Sequence, residues 1–129
     1  MKEQILLFHF EDSERLNALR KAMLPLHIAC KIMEEDTWDT PIGAAVGLEV
    51  TAQEEPAPEE IAQEMLMLCG LSEERLQQAL FALRKAGLVI PYKAMLTPYN
   101  KDWTAKQLYG ELRQEHEEMK AMQQAKHQN

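Results

Sequence analysis

The sequence predicts an α+β fold. Two apolar runs of strand length, residues 5–9 and 65–69, each lead into a capped helix and then a second apolar run. The two stretches also repeat each other. Ile5-Leu6-Leu7-Phe8-His9 is followed by Asp12, Glu14-Arg15-Leu16 and Leu19-Arg20-Lys21-Ala22. Met65-Leu66-Met67-Leu68-Cys69 is followed by Ser72, Glu74-Arg75-Leu76 and Leu83-Arg84-Lys85-Ala86. On this match the second copy carries four extra residues between its ERL and LRKA pieces, about one helical turn. Two strand–helix–strand units in series predict a ferredoxin-like duplicated βαβ sandwich, with an acidic insertion and a C-terminal helix. The divisions within the single domain are 1–33 (first unit), 34–60 (insertion), 61–98 (second unit) and 99–129 (C-terminal helix and frayed tail).

Local chemistry supports each element in turn. Residues 5–10 are apolar on both faces, with Ile5, Leu7 and His9 on one and Leu6, Phe8 and Phe10 on the other. Asp12 is a good N-cap, and Leu16, Leu19 and Met23 recur at helical spacing until Pro25 stops the helix. Residues 27–33 follow as an edge strand, and Lys31 is read as an edge charge that opposes aggregation. Thr40-Pro41 predicts a short helix over residues 40–48, capped by Thr40 with Pro41 first, small enough to dock closely. The stretch after it sets Pro56 and Pro58 among glutamates and reads as a mobile loop. In the second unit Ser72 caps a helix that Gly87 ends in a left-handed turn. Residues 89–96 are the second edge strand, with Lys93 at the place of Lys31. Arg20, Lys21, Arg84 and Lys85 complement the negative ends of their helices. Thr104 with Gln107 forms a capping box, and Trp103 can staple onto Leu108. The apolar stripe Leu108, Tyr109, Leu112 fades after His116. Helices on one sheet face leave the other uncovered. Either the C-terminal helix or a second subunit, as a homodimer through the sheet face, must close it.

Composition narrows the function classes. The 129 residues carry a formal charge of −7, which disfavours nucleic acid and anionic membranes as partners. Nine of the 21 acids lie in residues 34–60, which hold no Lys or Arg. The remainder has twelve acids against fourteen bases. Bulk charge therefore says less about nucleic acid than the lack of a basic, aromatic-lined sheet motif does. The apolar run near the N-terminus is too short for a signal peptide, and none approaches the ~20 residues of a membrane span. With only Cys30 and Cys69, this predicts a cytoplasmic protein with reduced thiols.

Candidate sites are few. His9, His27, Cys30 and Cys69 are soft-ligand types, but none stands in a CxxC, HxxxH or HExxH spacing, so no metal and no cofactor are expected. Cys69 reads first as a buried cysteine ending its apolar strand and, alternatively, as a reactive thiol, because Cys69-Gly70-Leu71-Ser72 sets it just before a helix N-terminus; no partner histidine is identifiable. No other catalytic residue stands out, and GxSxG and phosphate-cradling loops are absent. Thr97, Pro98, Asn100 and Trp103 read as a rigid strand-to-helix corner and, alternatively, as a ligand or partner surface with an aromatic anchor.

The order of pieces resembles a known family. It runs from Ile5-Leu6-Leu7-Phe8 through the first LRKA helix to Pro41-Ile42-Gly43-Ala44. Met65 to Gly70, the second LRKA helix with Gly87, Lys93-Ala94-Met95-Leu96-Thr97-Pro98-Tyr99-Asn100 and Trp103 complete it. The chain up to about His116 is similar to the bacterial domain of unknown function family 3783, and Leu96-Thr97-Pro98-x-Asn100-x-x-Trp103 is the most specific part. The resemblance implies a bacterial source and no particular activity. The expected function is a non-enzymatic interaction or regulatory module. The alternative is a small-molecule-binding sensor or a cysteine-dependent enzyme using Cys69.

Overall fold

A computed structural model describes residues 1–52 and 59–127, with side chains through residue 125. The chain is α+β: a mixed four-stranded sheet and three helices. The strands are β1 (Gln4–Phe8), β2 (Ala29–Met33), β3 (Met65–Cys69) and β4 (Tyr92–Met95). The helices are α1 (Ser13–Met23), α2 (Glu73–Lys85) and α3 (Ala105–His127). The loop expected around Pro56 and Pro58 lies outside the described residues. Among the described residues no helix is long and apolar enough to cross a membrane.

The sheet order is β2-β1-β3-β4. β1 pairs parallel with β2, β3 pairs parallel with β4, and β1 meets β3 antiparallel, with Leu6 opposite Met67. This corrects the expected ferredoxin-like arrangement. A split βαβ unit leaves room for a strand between its two parallel strands, whereas here the strands of each unit are direct neighbours. Both arrangements put the apolar strands in the centre and the lysine-bearing strands at the edges, and hydrophobic pattern reports only that.

The units match in a different register from the sequence repeat. Asp12 caps α1 and Ser72 caps α2, and each segment ends in a left-handed residue, His27 and Gly87, fifteen positions after its cap. In both units a backbone N–H then closes the turn, Ile28 onto the Met23 carbonyl and Leu88 onto the Leu83 carbonyl. Residues 24–26 prolong the first segment as a 3-10 turn around Pro25, so the two are equal in length. The LRKA pieces therefore sit one turn apart, and no four-residue insertion separates the units. Lys31 and Lys93 do not correspond either, because Lys31 is opposite Leu6 and Lys93 is opposite Leu66, on different faces of the sheet.

Ile5, Leu7, Leu66 and Leu68 face α1 and α2 and pack with Leu19, Met23, Ala79 and Leu83. Leu6, Phe8, Met65, Met67 and Cys69 face the other way. His9 adopts a left-handed φ of 62°, which breaks the alternation and sends Phe10 to the helix side rather than alongside Phe8. The second face is covered by the chain itself. Ala105, Leu108 and Tyr109 of α3 lie over it with Trp38 and Ile42 from the insertion and Ile61 just after it. The apolar surface that motivated a sheet-face homodimer is thus already buried. The capping box forms as expected: Thr104 N–H donates to Gln107 Oε1 (2.9 Å), and Gln107 N–H donates to Thr104 Oγ1 (3.1 Å). The apolar stripe of α3 gives out after His116, where Met119 and Met122 are exposed, while the helix itself continues to His127. The short helix of the insertion is a 3-10 segment, Ile42–Val46, led by Pro41. Thr40 does not cap it, because its hydroxyl donates to the Thr37 carbonyl instead.

The loops after β1 and β3 begin with His9 at φ 62° and Gly70 at φ 74°. A Cβ on Gly70 would stand 2.7 Å from the Lys2 carbonyl oxygen, whereas one on Gly87 (φ 75°) would meet nothing within 4 Å. Gly70→Ala should therefore cost clearly more than the ~1–2 kcal/mol of a left-handed alanine, and Gly87→Ala should cost about that alone. His9→Gly should stabilise by up to ~1 kcal/mol. Urea denaturation midpoints of the three variants check this ranking. Equal losses at positions 70 and 87 would contradict it.

Candidate functional site

Cys69 ends β3 fully buried in the second core cluster, and its Sγ points at the Met67 carbonyl oxygen (3.8 Å). Burial pushes its thiol up to about 12, so the helix dipole ahead of it does not generate a thiolate at neutral pH. Cys30 is half-buried, and burial raises its thiol too, with Arg20 opposing weakly. Both thiols are free. His9 lies beside Glu11 (3.7 Å) and meets Trp38 edge-on (6.0 Å), so it is held by its neighbours rather than by a metal set. Among the described residues no three His, Cys, Asp or Glu side chains are grouped to hold a metal ion.

The candidate residues at 97–103 divide into two roles. Thr97 and Asn100 close a turn on each other. Thr97 N–H donates to Asn100 Oδ1 (2.8 Å), the N–H groups of Tyr99 and Asn100 donate to Thr97 Oγ1 (both 3.2 Å), and Asn100 Nδ2 donates to the Met95 carbonyl (2.9 Å). All of these bonds stay within residues 95–100, so the two side chains build the corner. Pro98 is exposed on it. The insertion docks onto the end of this corner, where Ile42 N–H donates to the Trp103 carbonyl (2.9 Å) and Gly43 N–H to the Lys101 carbonyl (2.8 Å).

Trp103 is different. It is half-buried and walls a cleft of about 360 Å³ along the first turns of α3, with Lys106, Gly110, Glu111, Gln114 and Glu59. The Lys106 ammonium, with only 13% of its side chain exposed, pairs with Asp39 (2.9 Å) and Glu60 (3.0 Å), and both raise its pKa. Arg113 pairs with Glu59 and with Glu117 (2.6 Å), and holds the Glu59 carboxyl below the usual range. The cleft is thus bordered by acids from the insertion and cations from α3.

A second concave surface lies on the opposite side of the sheet. Between α1 and α2 runs an apolar groove of about 440 Å³, floored by Ala22, Leu26, Ala82 and Ala86 and rimmed by Lys21 and Lys85. Phe81 stands at its edge with 61% of its surface exposed. The sequence did contain this signal. Phe81 falls off the stripe of Leu76, Ala79 and Leu83, so it could not join the core. Gly110, in the interior of an otherwise good helix-forming sequence, was the comparable sign of the cleft.

The burial of Cys69 sets an expected outcome. With iodoacetamide at neutral pH, mass spectrometry of the folded protein should find Cys30 modified slowly and Cys69 unmodified, and both should react after denaturation. Labelling of Cys69 at or above the rate of a free thiol would contradict the buried placement.

The family model described as domain of unknown function (DUF3783) matches residues 64–119. No curated protein and no solved structure matches the chain. The match takes in β3, α2, β4, the corner and the cleft-lining part of α3, whereas residues 1–63 lie outside it. The second βαβ unit together with the first half of α3 therefore resembles a family whose description carries no activity.

Proposed function

We propose that this protein is a non-enzymatic interaction module that associates with further copies of itself through the groove between α1 and α2. The occupant is the exposed half of α3 from a second copy. Glu115, Glu118, Met119 and Met122 stand at i, i+3, i+4 and i+7, so they share one helix face. Met119 and Met122 are 61% and 64% exposed. The observation that carries the reading is complementarity: an apolar groove between two lysines, and a helix face of two methionines beside two glutamates. The small side chains of Ala22, Ala82 and Ala86 allow a helix to approach closely. The two surfaces lie on opposite faces of the sheet, so one chain does not satisfy both by folding back on itself. The contact is heterologous, one surface against a different one.

Other parts of the functional reading are of the same kind. The equal spacing from cap to left-handed residue in the two units supports an origin by internal duplication. Free cysteines suit a reducing compartment, in line with a bacterial cytoplasmic protein. Nucleic acid is not the proposed partner, because α3 and the insertion occupy the sheet face that RNA-binding sheets present.

Light scattering after gel filtration should show mass rising with concentration, less so at high salt. Phe81→Glu should weaken association at least tenfold. Reversing the groove charges (Lys21→Glu with Lys85→Glu) or the helix charges (Glu115→Lys with Glu118→Lys) should each reduce it. Mixing the two charge-reversed proteins should restore it. A monomeric mass at all concentrations, or association indifferent to these variants, would overturn the proposal.

A further inference from the structure

The cleft beside Trp103 is a second, independent surface, and Gly110 marks it. Glycine is the poorest helix former after proline, and Gly110 sits inside α3, more than a turn from either end of the helix. Among the described residues neither backbone conformation nor close packing requires it there. Its φ is not among the positive ones, and a Cβ added to it would meet no atom within 4 Å. Gly110 lines the cleft, so among the described residues such a Cβ would stand in space that no other atom occupies. At about 360 Å³ that space is at the lower end of ordinary small-ligand sites.

The charges around it indicate what it takes. Lys106 and Arg113 are both engaged in ion pairs, with Asp39 and Glu60 and with Glu59 and Glu117. Glu111 lines the cleft, is exposed, and has no ion-pair partner among the described residues. An aromatic wall with an unpaired carboxylate and a surplus of acids is the environment that binds an organic cation. The indole face attracts the positive charge and the carboxylate anchors it. Gln114, also in the lining, adds a neutral hydrogen-bonding edge.

We infer that the cleft between Trp103 and Gly110 binds an ammonium group, carried either by a small alkylamine or by a lysine side chain of a protein. The two sources share their chemistry, and the test separates them. Methylammonium chloride and Nα-acetyl-lysine amide, its ε-ammonium free, are titrated into the whole protein, with sodium chloride at matched ionic strength as control. The Trp103 indole N–H resonance is followed, assigned by its loss in Trp103→Phe. Saturable shifts with methylammonium point to a free amine, and shifts only with the lysine amide point to a protein lysine. Either supports the inference. Gly110→Ala should raise the melting temperature, since it improves the helix, and yet weaken binding at least tenfold. Glu111→Gln should weaken it several-fold. No shift beyond the sodium chloride control with either probe would overturn the inference. So would unchanged binding in Gly110→Ala.

Discussion

The structure depends on the central antiparallel pair of β1 and β3. Leu6 and Met67 face each other across it, and Ile5, Leu6, Leu7, Met65, Leu66 and Met67 are all without measurable exposure. A strand pair apolar on both faces demands a cover on both. Each fully buried side chain of this size contributes roughly 1.5–3 kcal/mol over its exposed state, so neither face can be left to water. α1 and α2 meet the demand on one side. On the other it is met by α3, by Ile61 and by the insertion, which carries most of the acidic excess in its exposed residues and puts Trp38 and Ile42 inward. The insertion is thus part of the second cover. Trp38 anchors it, donating its indole N–H to the Met33 carbonyl at the end of β2 (2.9 Å).

Ion pairs then fasten the covers at their edges. Arg75 of α2 binds Glu3 ahead of β1 and also reaches the Leu26 carbonyl. Arg15 of α1 binds Glu64 ahead of β3 (2.8 Å) and the Val89 carbonyl (3.1 Å). Each helix therefore clasps the other unit's half of the sheet, which ties the two βαβ units into one body. On the second face Lys106 and Arg113 do the same for the insertion through Asp39, Glu60 and Glu59. These contacts are partly exposed, so their role is more to fix the position of the covers than to supply stability.

Much of this was legible in the residues. Caps at Asp12, Ser72 and Thr104, the left-handed stop at Gly87 and the doubly apolar strands are local signals, and the structure reproduces them. Strand order was not legible, because a lysine at an edge strand looks the same whichever neighbour the strand has. The repeat was read one turn out of register, since LRKA matches in letters but Met23, not Ala22, occupies the place of Leu83 in the core. Cys69 is buried, as its apolar run suggests, although a helix start follows it. Its burial outweighs the dipole, and burial is a tertiary property. Of the four candidate residues at the corner, Thr97 and Asn100 serve the turn, Pro98 is exposed on it, and Trp103 lines the cleft. The groove at Phe81 was visible only as an apolar residue out of phase with its helix.

The central claim is that both faces of the β1–β3 pair are sealed within one chain. Chemical denaturation of Leu7→Ala and Met67→Ala, one from each face, measures it most directly. Both side chains are fully buried, so each truncation should cost ~2–5 kcal/mol. A Met67→Ala protein losing less than ~1 kcal/mol, with Leu7→Ala still losing the expected amount, would show that the second face is not closed as described.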